Sequence, residues 1–185
     1  MSTESKASTW TTIKRALTEL DQTTLIELVR DLYQLSNDNK VFLSTRFTSV
    51  DVQALAEPYR KAIREQFNPA RGFPELNLRS ARKALNDFKR ACSDRAAVAD
   101  VLIYYVEQGV ICTKNYGDID ENFYSSLESV YDEAITFIVK QNDAALVEQF
   151  YPRMRRIVRD TSGMGWGFHD YLSEEFHSRY PQPDE

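Results

Sequence analysis

The stretch Asp94–Ile111, DRAAVADVLIYYVEQGVI, decides the fold. Val98, Val101, Leu102, Ile103, Tyr105 and Val106 point to nearly every side of a 3.6-residue helix, and a helix that is apolar all round belongs at the centre of a protein. The unbroken apolar run inside it, Val101–Val106, is six residues and too short to cross a bilayer. The expectation is a central buried helix over residues 94–111, with no membrane partner.

The flanking segments are helical too. Before it, Leu78, Ala81, Leu85, Phe88 and Cys92 step by three and four residues, which makes one apolar stripe on a helix over Leu78–Cys92. After it, Gly117 and Asp118 open a helix with Ile119, Phe123, Leu127, Val130, Tyr131, Ala134 and Ile138 on one side. Towards the N-terminus, Thr12 caps a short helix to Leu20, and Thr23 or Thr24 opens another carrying Leu25, Leu28, Val29, Leu32 and Leu35. Asn37–Asn39 reads as a turn and Lys40–Phe47 as a short helix. Asp51 caps the next, with Pro58 kinking or restarting it, and Asn68–Pro74 is the plainest loop. A helix begins near Asp143, is perturbed at Pro152 and ends before Asp160. A last one lies within Trp166–Tyr180, closed by Pro181 and Pro183. No segment alternates with period two, and no repeat of fixed period is present. The expectation is an all-α protein, a multi-helix bundle or orthogonal helical array of about eight to nine helices. Residues 11–180 form its single domain, and 1–10 and 181–185 are tails.

Composition agrees. The chain has 185 residues, 42% hydrophobic and 28% charged, enough to build a core without staples. Cys92 and Cys112 have neither the spacing nor the companions of a metal or redox motif, so they read as reduced, buried thiols. With a polar N-terminal stretch, Met1–Thr9, the expected address is cytoplasmic. The net charge of −5 argues against generic nucleic-acid binding, yet it hides a segregation. Tyr59–Arg95 carries ten Lys/Arg against four Asp/Glu, and Ala96–Phe150 two against ten. Such asymmetry means either a charged partner or opposite faces paired within one molecule.

Three stretches carry a resemblance: LVRDLYQLSNDNKVFLSTRF (Leu28–Phe47), ARKALNDFKRA (Ala81–Ala91) and YYVEQGVICTKNYGDIDENFYSSLES (Tyr104–Ser129). Together with the trailing GWGFHD (Gly165–Asp170), they resemble the bacterial domain-of-unknown-function family 6155, from about Leu17 to Tyr171. The resemblance implies a helical fold and a bacterial or phage-related origin, and brings no catalytic or binding residues.

The chemistry-bearing candidates each have a plainer explanation. Asp118, Asp120 and Glu121 in GDIDENFY could ligate a divalent cation with His169, but Asp118 as N-cap and Glu121 three residues on make a capping box. Glu107, on the apolar helix, calls for an Arg from a neighbouring helix. Arg79, Arg82, Lys83, Lys89 and Arg90 share about a third of one helix circumference. Arg153, Arg156 and Arg159 form a second stripe. Either stripe could track phosphates, though neither is interleaved with stacking aromatics. In GMGWGFHD (Gly163–Asp170) the glycines suggest close backbone packing around Trp166. His169 and His177 lie two turns apart, too distant to share a metal without further ligands. The favoured reading is a protein-interaction or accessory module, with protein as partner, no cofactor and oligomeric state left open. A nucleic-acid-associated protein using the basic faces is the alternative. A metal-dependent or acid–base enzyme is the third, with no motif set naming a reaction.

Overall fold

The computed structural model describes residues 9–180. The expected tails lie outside them, except for Thr9 and Trp10. Trp10 begins a helix, because the Thr9 carbonyl accepts from the Thr12 and Ile13 amides. Nine helices are present among the described residues and no strand: α1 (Trp10–Thr18), α2 (Gln22–Leu35), α3 (Asn37–Phe47), α4 (Val52–Phe67), α5 (Leu78–Ala91), α6 (Arg95–Tyr116), α7 (Glu121–Lys140), α8 (Ala144–Asp160) and α9 (Phe168–Arg179).

Short polar side chains set where the helices start. Asp21, Ser36, Asp51, Asn77, Asp94, Asp120 and Asp143 each accept from a backbone N–H two or three residues on. Each such cap is worth about 1 kcal/mol. Four starts differ from the sequence reading. α1 begins at Trp10, so Thr12 lies inside it and does not cap it. The cap of α2 is Asp21, not Thr23 or Thr24. Ser36 ends α2 and caps α3 in one extended residue, so Asn37–Asn39 is already helical rather than a turn. Asp120, not Asp118, caps α7 by accepting from the Phe123 amide at 2.8 Å. Pro58 and Pro152 sit inside continuous helices.

α6 is the axis. By length and composition it could cross a membrane, but most of that window is buried against its neighbours. α4, α5, α7 and α8 pack around it, and α9 closes over α7 and α8. Gly109 brings α6 onto α7: a Cβ there would stand 2.3 Å from the buried Leu127 side chain. Aromatic rings run through the interior from α4 to α9, Phe67 to Phe123 to Tyr124 to Phe168, with centroids 5.0–5.8 Å apart. Both thiols are buried, and desolvation pushes Cys112 up to about 11.

The N-terminal helices sit differently. α3 attaches to the core through Val41 and through polar ties: Asp38 accepts from the Tyr59 hydroxyl at 2.5 Å, and Arg46 donates to the Ala91 carbonyl at 2.9 Å. α2 lies on α3, and neither α1 nor α2 contributes a buried residue.

Candidate functional site

The residues singled out from sequence fall into three groups. The first is the acidic segment. With capping done by Asp120, Asp118 is released to accept from the Tyr124 hydroxyl at 2.8 Å and the Gly165 amide at 3.3 Å. A Cβ on Gly165 would meet the Asp118 carboxylate at 2.7 Å, so a larger residue there would have to displace that carboxylate. Glu121 is exposed in the first turn of α7. His169 Nδ1 lies 3.1 Å from both the Val158 carbonyl and the Thr161 hydroxyl, which ties it to the end of α8. Asp118 and the Gly163–Asp170 turn therefore do meet, but as a structural strap. Among the described residues no group of three or more His, Cys, Asp or Glu could hold a metal ion. Trp166 is not packed within the turn as expected. It stands 59% exposed at φ 62°, and the neighbouring Gly163 and Gly167 also take positive φ to turn the chain.

The second group is charge spent inside the molecule. On α5, Lys89 pairs with Glu133 of α7, and Arg82 donates to the Ser126 carbonyl at 2.8 Å and reaches Glu133 at 4.0 Å. Lys83 and Arg90 both hold Asp87, and the Lys83 bond above all keeps that carboxyl below the usual carboxylate range. Arg79 alone of the five is exposed without an ion pair among the described residues. Thus Arg82 and Lys89 tie the basic helix to the acidic one at Glu133 and Ser126, while Lys83 and Arg90 are spent within α5. Glu107 has its arginine, though it comes from α8: Arg153 grips it in a fork at 3.0 and 2.7 Å. The same guanidinium reaches Asp100 at 2.5 Å, which also pairs with Arg60. This four-membered network bolts α4, α6 and α8 together.

The third group is the remainder of the α8 stripe, and here the structure rearranges the sequence reading. Arg153 points inward, whereas Arg156 and Arg159 point out and are joined by Arg155. The signal for Arg155 was present in RMRRIVR: Arg155 and Arg159 are four residues apart, one helical turn, whereas steps of three drift around the axis. Leu146, Phe150, Met154, Ile157 and Val158 take the buried face of α8. The three outer arginines stand along a groove of about 670 Å³ between α8 and α9. Tyr151 and Pro152 line it from α8, and Phe176 and His177 from α9. His177 Nδ1 lies 2.7 Å from the Ser173 carbonyl, which orients the ring and leaves Nε2 for other partners. Arg159 is engaged by Asp160, itself held below its usual range chiefly by Lys114. Arg155 and Arg156 have no ion pair among the described residues, and no carboxylate lines the groove. Guanidinium forks over an apolar floor, in a concavity of ligand size, suit an anionic group attached to an apolar body.

No curated protein and no solved structure matches the chain. Residues 9–178 match the family of unknown function DUF6155, nearly the whole described chain. The chain belongs to that family.

Proposed function

We propose that this protein is a protein-interaction module that takes an acidic, apolar-containing segment of a partner protein into the α8–α9 groove. The observation that supports this reading is the contrast in how cations are used. Four of the five basic residues on α5, and Arg153 on α8, are consumed by internal partners, while Arg155 and Arg156 border the groove with no ion pair among the described residues. A protein of net charge −5 gains nothing in solubility from a local cluster of opposite sign, so the cluster points to recognition. A peptide is favoured over nucleic acid because the basic surface is short and its floor is Tyr151, Pro152 and Phe176, with no extended phosphate track.

The test is a fluorescence-anisotropy titration with a labelled acidic hexapeptide containing one phenylalanine, run beside a single-stranded RNA decamer. The expected result is saturable peptide binding that weakens about tenfold or more in the double variant Arg155→Glu, Arg156→Glu. Arg79→Glu should leave it unchanged. No peptide binding at low salt, or tighter binding of the RNA that is lost in the same variant, overturns the reading.

A further inference from the structure

A second surface stands apart from that groove, and it is apolar. α2 carries Leu25, Leu28, Val29, Leu32 and Leu35 at helical spacing, yet buries none of its residues. Leu35 is 76% exposed, Ile26 61%, and on the adjoining helices Trp10 is 68% and Phe47 77% exposed. Helices of 9 and 14 residues are marginal in isolation and owe their stability to burial of an amphipathic face. Here the fold provides little of that burial. Twelve large apolar side chains from Trp10 to Val50 are exposed. The nine from Ile26 to Val50, on α2, α3 and the segment just after, offer on the order of 800 Å², taking roughly 150–200 Å² for each whole side chain. A monomer seldom leaves so large an area open, and a stable interface needs about 800 Å² from each partner. Ile26, Val29 and Tyr33 of α2 and Leu43 and Phe47 of α3 line a groove that would take a projecting side chain.

The charges around this face indicate what covers it. Residues 10–47 carry Lys14, Arg15, Arg30, Lys40 and Arg46 against Glu19, Asp21, Glu27, Asp31 and Asp38, and so have no net charge. Among the described residues Lys14, Arg15, Glu19, Glu27, Arg30, Asp31 and Lys40 form no ion pair within the chain. An apolar centre with a rim of balanced, unspent charge is complementary to itself. A two-fold contact asks for such a surface, because the same patch is used on both sides. We infer that the α1–α3 face is where a second copy of this chain docks, making a two-fold homodimer.

Sedimentation equilibrium on the full chain tests this directly. The expected result is a dimer whose dissociation constant rises about a hundredfold in Leu35→Glu, Phe47→Glu, the scale of losing interface anchors. Both side chains are exposed, so the variant should keep its helical circular dichroism. Trp10 and Trp166 are the only tryptophans. In a Trp166→Phe background, Trp10 emission should therefore shift to the blue as protein concentration rises. A wild-type chain that stays monomeric to roughly 100 μM overturns the inference. So does a dimer that survives the double substitution, or binding of this face to lipid vesicles in preference to itself.

Discussion

Helices α6 and α2 both read as strongly apolar in sequence, and the fold treats them in opposite ways. α6 buries thirteen of its 22 residues, α2 none of its 14. The segments around α6 also satisfy charges internally, through the Arg60–Asp100–Arg153–Glu107 network and the α5–α7 pairs, while among the described residues those of α1 and α2 form no ion pair. Helical apolar spacing states that a face is to be buried, and it does not state in which molecule. A helix that is apolar on nearly every side, as α6 is but for the Asp100–Glu107 edge, can be buried only in an interior. A helix apolar on one side can meet its need across an interface.

The sharpest way to break this contrast is to make the same truncation in both regions. Leu102 is fully buried on α6, so Leu102→Ala removes its transfer energy and leaves a cavity, costing about 3 kcal/mol. In a chain of this size that lowers Tm by roughly 10 °C. Leu35→Ala on α2 removes the same atoms from a side chain that is 76% exposed, and should cost under about 0.5 kcal/mol in dilute solution. Urea titrations of the two variants decide it. Equal losses would mean that α2 is packed as α6 is.

A second, smaller effect sharpens the comparison for charge. Arg153→Ala deprives Glu107 of its fork and leaves Asp100 with Arg60 alone, both carboxylates being mostly buried. Partly buried partners left without their cation should cost about 2 kcal/mol. Arg156→Ala, the same chemistry less than one turn along α8 on the groove side, should stay within about 0.5 kcal/mol. If the Arg153 substitution is as silent as that of Arg156, the network is decoration rather than a bolt.

The all-helical fold and its central helix were legible because α5, α6 and α7 carry unambiguous spacing; the helix expected over 94–111 is α6, which Asp94 caps and which runs five residues further, to Tyr116. What was not legible depended on contacts distant in sequence. Either Asp118 or Asp120 suits the start of α7, and the choice between them is made by Tyr124 and by Gly165, 47 residues on. Arg153 and Arg156 look alike in a stripe of threes, and the half-buried carboxylates of α6 decide which one turns inward. The exposure of Trp166 follows from backbone torsions that its glycine neighbours permit, whereas composition alone suggested packing. Lys89 and Glu133, by contrast, were foreshadowed by the opposite charge of their segments.

Acid gives the smallest effect and separates the two regions by the kind of loss. Asp87 and Asp160 are held below the usual carboxylate range chiefly by hydrogen bonds from Lys83 and Lys114. Asp21 is lowered chiefly by the Thr24 backbone amide at the start of α2. For a carboxyl depressed in the folded state, the stabilisation is fully present above the unfolded value and is lost as pH falls through the folded one. Between about pH 5 and pH 3, therefore, Tm should fall, and Asp87→Asn with Asp160→Asn should flatten that slope. Protonating Asp21 removes a cap from a helix that has no buried residue, so its effect should be local fraying of α2. Hydrogen exchange read by mass spectrometry distinguishes the two: at pH 3 the peptides of α2 should exchange early while those of α6 remain protected. Simultaneous loss of protection in both would mean that α2 melts only with the core, and the division between the two regions would fail.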